Sequence, residues 1–279
     1  MKRILVPTDF SVYANKALDY AVCLAKKSGA EIILLHACDF LHNTLPGKKL
    51  MVEAYNQYVQ KCANDQLQEL KKCIEETESV LVGTQVYEGG VIDSILEGAD
   101  YFTPDLIVMN TLGITGLRSR IVGSKTAALL SRTSVPVITI PYDYEWSEPK
   151  HILLALNDSD ESLELLKPAF EIATLFHAEI KAGIFSTEHE DGVAVMEHSR
   201  TINSINTKLQ QIYTPIVIQP VHFSGNEFQE AMQEYIEANS IDLLAMITHK
   251  RNGIQTLLHR SMTRKMNYHT KIPLLSICA

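Results

Sequence analysis

Residues 2–32 read KRILVPTDFSVYANKALDYAVCLAKKSGAEI, and residues 150–180 read KHILLALNDSDESLELLKPAFEIATLFHAEI. Lys2 meets Lys150, an offset of 148. At that offset Ile4, Leu5, Ser11, Ala21, Ala25, Ala30, Glu31 and Ile32 each meet an identical residue. A second match lies further on, where Asp105-Leu106-Ile107-Val108-Met109 answers Asp242-Leu243-Leu244-Ala245-Met246 at an offset of 137. The first copy therefore carries about eleven extra residues in its middle. A period near 140 residues is far too long for a solenoid, so it predicts two tandem copies of one domain. The expected domains span residues 1–142 and 150–279, joined by a linker at 142–149 that holds Trp146 and is flanked by Pro141 and Pro149.

Each copy alternates strand and helix. Residues 3–6 are a short apolar run stopped by Pro7, the mark of a buried strand. Ser11 is placed to cap a helix whose apolar positions, Ala14, Ala17, Leu18, Ala21, Val22 and Ala25, follow the 3.6-residue stripe, and Gly29 closes it. A second strand is expected over 32–35, a long polar helix over 48–77 and a strand over 80–87. Gly89-Gly90 then turns into a helix carrying Val91, Ile92, Ile95, Leu96 and Ala99 on one face. A strand over 106–109, a helix over 123–131 and a strand over 137–140 complete the copy. The second copy repeats the order, with strands at 151–157, 179–185, 216–222, 243–248 and 273–277. Its helices are expected at 160–176, 190–211, 226–239 and 260–268. The pattern predicts an α/β protein of two doubly wound domains, each with a five-stranded parallel sheet and helices on both faces.

Composition narrows the function classes. The chain has 279 residues, is 46% hydrophobic and 21% charged, and carries a net charge of -8. A diffuse acidic balance disfavours nucleic acid and anionic lipid as partners. The longest apolar runs, such as residues 152–156, are strand-sized and far too short to span a membrane. Met1-Lys2-Arg3 leads straight into a strand, which does not read as a secretory signal. Five cysteines with no Cys-x-x-Cys pair point away from a disulfide framework or structural zinc and toward the cytoplasm.

Ligands of an open parallel sheet gather beyond the carboxyl ends of its strands, where strand order reverses. In the first copy Thr8 and Asp9 follow strand one. Strand four is followed by Asn110, Gly113, Gly123, Ser124, Lys125 and Thr126. The two glycines let backbone approach a ligand closely, and Ser124 and Thr126 stand at the start of a helix, where phosphate is welcome. Arg118, Arg120 and Lys125 add positive charge, while Asp9 suits a ribose hydroxyl. On spacing alone these residues serve equally well as turn glycines and a helix cap. The Walker phosphate loop is excluded, since six residues separate Gly116 from Gly123 and Ser124 precedes the lysine. No Gly-x-Ser-x-Gly nucleophile elbow occurs. His189 and His198, near several acidic residues, read as part of a polar surface, with no metal site expected. His36 reads as a packed core histidine.

The chain resembles the universal stress protein family in a tandem two-domain form. That family carries Gly, two residues, Gly, nine residues, Gly, then Ser or Thr after strand four. Asn110, Gly113, Gly123 and Ser124 fit this spacing, with asparagine in place of the first glycine. Val6-Pro7-Thr8-Asp9 looks like the family's first strand, and Leu34-Leu35-His36-Ala37 like its adenine-contacting turn. The resemblance implies that Pro7, Thr8, Asp9 and Ala37 hold adenosine and that Met109 flanks the ring. It also implies that Gly113, Gly123, Ser124, Lys125 and Thr126 surround the phosphates of ATP, with or without Mg2+. Asparagine tolerates positive φ better than most residues, so Asn110 is compatible with the first phosphate turn.

The second copy departs from this pattern. Gly113 becomes Lys250, Gly123 becomes Arg260, Pro7 becomes Ala155 and Asp9 becomes Asn157. An arginine where backbone should touch phosphate fills the pocket, so this copy is expected to bind no ATP and to pair with the first. The cluster of Lys250, Arg251, Arg260, Arg264 and Lys265 reads as solvated surface. In the family, final strands pair across a two-fold axis, which implies pairing of 137–140 with 274–277 inside one chain, or of two chains as a homodimer. Three functions stay open: a cytoplasmic stress-response protein that binds an adenine nucleotide without turnover, a nucleotide-free scaffold, and a slow ATPase.

Overall fold

The structure is a computed structural model and describes residues 1–42, 49–111, 124–156, 163–187, 192–248 and 270–278. Ile4, Leu5 and Val6 are fully buried in the first strand, β1 (Arg3–Pro7), as their continuous apolar run requires. Helix α1 (Val12–Ser28) begins where the Ser11 hydroxyl accepts the Ala14 N–H at 3.1 Å. It ends where the Gly29 N–H reaches the Ala25 carbonyl. All six positions of its apolar stripe are buried. The chain continues through β2 (Glu31–Cys38), α2 (Lys49–Glu78), β3 (Val82–Glu88), α3 (Val91–Phe102), β4 (Leu106–Asn110), α4 (Ser124–Leu130) and β5 (Val137–Ile140). Gly89, at φ 115°, makes the turn into α3, a conformation that side chains strongly disfavour.

The chain divides into two compact units, at Val135/Pro136. In the first unit the strand order is β3-β2-β1-β4, and every pair is parallel. The chain winds from β1 outward through β2 and β3, then returns to place β4 on the other side of β1. The switch point therefore lies between the carboxyl ends of β1 and β4.

The second unit contains β6 (His151–Leu156), a 3-10 turn (Leu163–Leu166), α5 (Lys167–Phe176), β7 (Glu179–Thr187), α6 (Gly192–Ile212) and β8 (Ile218–Gly225). It ends with α7 (Phe228–Ala238), β9 (Leu243–Thr248) and β10 (Leu274–Cys278). The strand order is β5-β10-β9-β6-β7-β8. The β5 strand groups here rather than with the first copy and pairs antiparallel with β10, Ser276 opposite Val137 and Leu274 opposite Thr139. Thus the sheet is mostly parallel, with one antiparallel pair where the final strands of the two copies meet. All four β5 residues are buried, and an apolar strand of this kind is unstable as an open edge. The linker is tied down through Trp146, whose ring lies 5.9 Å from that of Phe176. The helix expected from residue 160 starts as the 3-10 turn, and Pro168 stands in the first turn of α5. The helix expected over 260–268 lies outside the described residues.

The duplication extends to hydrogen bonds. Asp105 Oδ2 accepts the backbone N–H of Lys2 and of Arg3, and Asp242 Oδ2 accepts those of Lys150 and His151. In each copy one carboxylate ties the start of the fourth strand to the start of the first.

Candidate functional site

The chain leaves β1 through a tight local network. The Thr8 N–H donates to the Leu35 carbonyl at 2.8 Å, continuing the sheet one residue past Pro7. The Thr8 hydroxyl then accepts the Phe10 N–H at 3.0 Å, and Asp9 Oδ1 accepts the Ser11 N–H at 3.1 Å. These are the short-range turns that Thr and Asp side chains form with backbone two residues on. They hold Phe10 at φ 60°, an uncommon conformation for an aromatic residue. The Phe10 ring rests on His36, with centroids 4.5 Å apart. His36 Nδ1 lies 2.8 Å from the Thr8 carbonyl. A carbonyl can only accept, so Nδ1 carries the hydrogen.

A cleft of about 620 Å3, counted to its solvent-open mouth, lies at this end of the sheet. Pro7, Thr8 and Asp9 form one wall, and Leu35, His36 and Ala37 from β2 form a second. Val91 and Ile95 of α3 close the apolar side. Met109 at the end of β4 adds to the apolar lining, and Asn110 and Thr111 stand with Lys125 and Thr126 of α4 on the polar side. Thr8, Met109 and Thr126 are buried, while the Lys125 side chain is exposed. Apolar walls against a few placed polar groups are what small-ligand sites share.

Of the residues named from sequence, Pro7, Thr8, Asp9, Ala37, Met109, Asn110, Lys125 and Thr126 are thus brought together. Ser124 begins α4, and Gly113 and Gly123 lie outside the described residues, as do Arg118 and Arg120. His36 is a correction. It is half-buried and lines the cleft, because its bond to Thr8 holds the ring at the strand end rather than inside the core. Val91 and Ile95 went unnamed as site residues. The signal that could have found them is their i, i+4 spacing at the start of the helix after Gly89-Gly90.

At the equivalent place the second unit carries larger side chains. Ala37 is replaced by Phe185 at the offset of 148. The Phe185 ring meets Phe228 edge-on at 5.3 Å and Phe223 at 6.0 Å, and Phe223 in turn lies 5.5 Å from Tyr235. Where the first copy has a methyl group and a cleft, the second has an aromatic cluster. Asn157, Lys250, Arg251, Arg260, Arg264 and Lys265 lie outside the described residues.

The sequence model of the universal stress protein family matches residues 1–141 and again 148–277. The chain belongs to the universal stress protein family. A universal stress protein of Methanocaldococcus jannaschii is 30% identical over 140 residues, covering 50% of this chain and 81% of that protein. One of Bacillus subtilis is 28% identical over 144 residues, covering 50% of this chain and 97% of its own. Among solved structures, a universal stress protein from Archaeoglobus fulgidus aligns with a TM-score of 0.77, covering 99% of this chain and 98% of that one at 17% identity. That last likeness speaks to the fold alone. Two universal stress domains in one chain accord with the internal repeat. Among the described residues, no helix is long and apolar enough to cross a membrane.

Proposed function

We propose that the first unit binds an adenine nucleotide, ATP or a close relative, and that the bound nucleotide biases conformation or partner choice in a cytoplasmic stress response. One observation carries this reading: eight residues named from sequence, drawn from four separate elements, line a single cleft at the switch point of the sheet. The apolar side, with Ala37, Val91, Ile95 and Met109, has the character an adenine ring needs. Asp9 keeps Oδ1 on the Ser11 N–H and offers Oδ2 to a ribose hydroxyl. Lys125 and the Thr126 hydroxyl supply the charge and the donor that a phosphate chain requires. The donor set fits a nucleotide, and it fits Mg2+ only through the phosphates. The second unit serves as the structural partner, since Phe185 takes the position of Ala37, on the wall we assign to adenine.

Thermal unfolding of the full chain with and without millimolar ATP and magnesium tests the reading. Specific binding raises the midpoint by mass action, and Gly123→Arg, which copies the second domain, removes the rise. An unchanged midpoint would leave the nucleotide-free scaffold. We propose binding without turnover. Multiple-turnover phosphate release by pure protein, lost in Asp9→Ala, would make the protein a slow ATPase instead.

A further inference from the structure

Among the described residues, Phe10, Ser79, Thr103, His177 and Ser240 are the non-glycine residues at positive φ. Four of them close helices. Thr103 and His177 cap α3 and α5, Ser79 follows the last residue of α2, and Ser240 follows the Asn239 cap of α7. A left-handed residue there is an ordinary way to end a helix. Phe10 is different. It stands before α1, directly after the cleft residues Thr8 and Asp9, and does not line the cleft itself. No helix end accounts for its φ of 60°. A bulky residue in that region costs free energy, which its surroundings must offset.

The hydrogen bonds around Phe10 show what the conformation does. Asp9 Oδ1 accepts the Ser11 N–H at 3.1 Å, and the ring closed by this bond runs through the backbone of Phe10. The direction of the Asp9 carboxylate therefore depends on the φ of its neighbour. On the other side the Thr8 hydroxyl accepts the Phe10 N–H at 3.0 Å. The offsetting contact comes from the Phe10 ring. It packs on His36 with centroids 4.5 Å apart and planes inclined by 32°, and His36 is itself fixed by the Thr8 carbonyl.

We propose that Phe10 is the positioning residue for Asp9: its left-handed backbone aims the carboxylate into the cleft, and its ring on His36 holds that backbone in place. This rests on the nucleotide reading of the cleft, in which Asp9 receives a ribose hydroxyl. It adds a residue that lies outside the cleft and acts only through its neighbour. When the loop relaxes to a right-handed Phe10, the carboxylate turns away. Apparent affinity then falls with the fraction of molecules whose loop is correctly turned.

Variants of the full chain that all lack the ring, but differ in backbone preference, test the proposal. Phe10→Ala disfavours positive φ. It should weaken ATP and adenosine alike by about tenfold in isothermal titration, since both carry the ribose. Phe10→Gly takes positive φ freely and should bind both within about threefold of the wild type. Circular dichroism checks that each variant folds. Should Phe10→Ala fail to fold, Phe10→Asn and Phe10→Gln repeat the comparison with two amides, because asparagine tolerates left-handed backbone and glutamine does not share that tolerance. Phe10→Asn should then bind like Phe10→Gly, and Phe10→Gln about tenfold more weakly. Full affinity in Phe10→Ala overturns the proposal. So do equal losses within either pair, which would assign the effect to the ring. In both cases the wild type still binds and the nucleotide reading stands. A wild type that binds neither ATP nor adenosine overturns that reading, and this inference with it.

Discussion

His36 donates through Nδ1 to the carbonyl of Thr8, 2.8 Å away, and so joins the end of β2 to the loop that leaves β1. Both residues line the cleft, and the loop between Thr8 and Ser11 holds the left-handed Phe10. His36→Ala leaves that carbonyl without its donor and frees the loop. Unfolding in urea should show a loss of about 1–2 kcal/mol, the usual cost of a deleted hydrogen bond plus ring packing. His36→Asn, whose amide nitrogen can take the place of Nδ1, should recover part of it. Equal losses in both variants would mean that the ring contact with Phe10, rather than the hydrogen bond, holds the loop.

The difference between the two units at Ala37 and Phe185 is open to exchange. Ala37→Phe should abolish any ATP-induced rise in unfolding temperature by occupying the apolar wall. Phe185→Ala removes a half-buried ring from the aromatic cluster and should cost about 2–3 kcal/mol, below the range for fully buried phenylalanine. Retained nucleotide binding in Ala37→Phe would place the adenine elsewhere.

Lys125 offers a test that separates phosphate from adenine. Lys125→Ala should weaken ATP by about tenfold, the loss of one exposed charge-assisted contact, and leave adenosine unchanged. Isothermal titration at fixed salt reads both. An equal loss for adenosine would assign Lys125 to the base rather than the phosphates.

Asp105 links the strand clamp to acid stability. Burial alone would raise its carboxyl, but the backbone N–H groups of Lys2 and Arg3, with the N-terminal and Lys2 charges, outweigh burial and hold it below its ordinary value. The folded state therefore binds this proton less readily than the unfolded chain. The stabilisation is fully present above the ordinary carboxylate range and is lost as pH falls through the depressed value. Asp105→Asn should be less stable at pH 7, and its stability should fall less between neutral and acid pH than that of the wild type. Parallel stability curves for the two proteins would remove Asp105 from the acid response.

The one-dimensional pattern determined the duplication, the alternation of strand and helix, and the group of polar residues after strands one and four. Apolar periodicity is a local property, and Ser11, Gly29 and Gly89 mark boundaries through their own backbone preferences. For the same reason Thr8 and Asp9 are legible in the chain as written, since they follow a recognisable strand, whereas Ala37 is named only through the family resemblance. Tertiary structure alone decided the rest. The β5 strand, three apolar residues and Thr139, has nothing local to name a partner; the family resemblance, not its spacing, points to 274–277, and only the fold fixed the register with β10. His36 reads as core until the Thr8 carbonyl is seen to hold it at the cleft. Phe185 is an ordinary strand residue until the rings of Phe223 and Phe228 meet it. In each case the deciding contact joins residues far apart in sequence, and spacing along a chain carries no record of such a meeting.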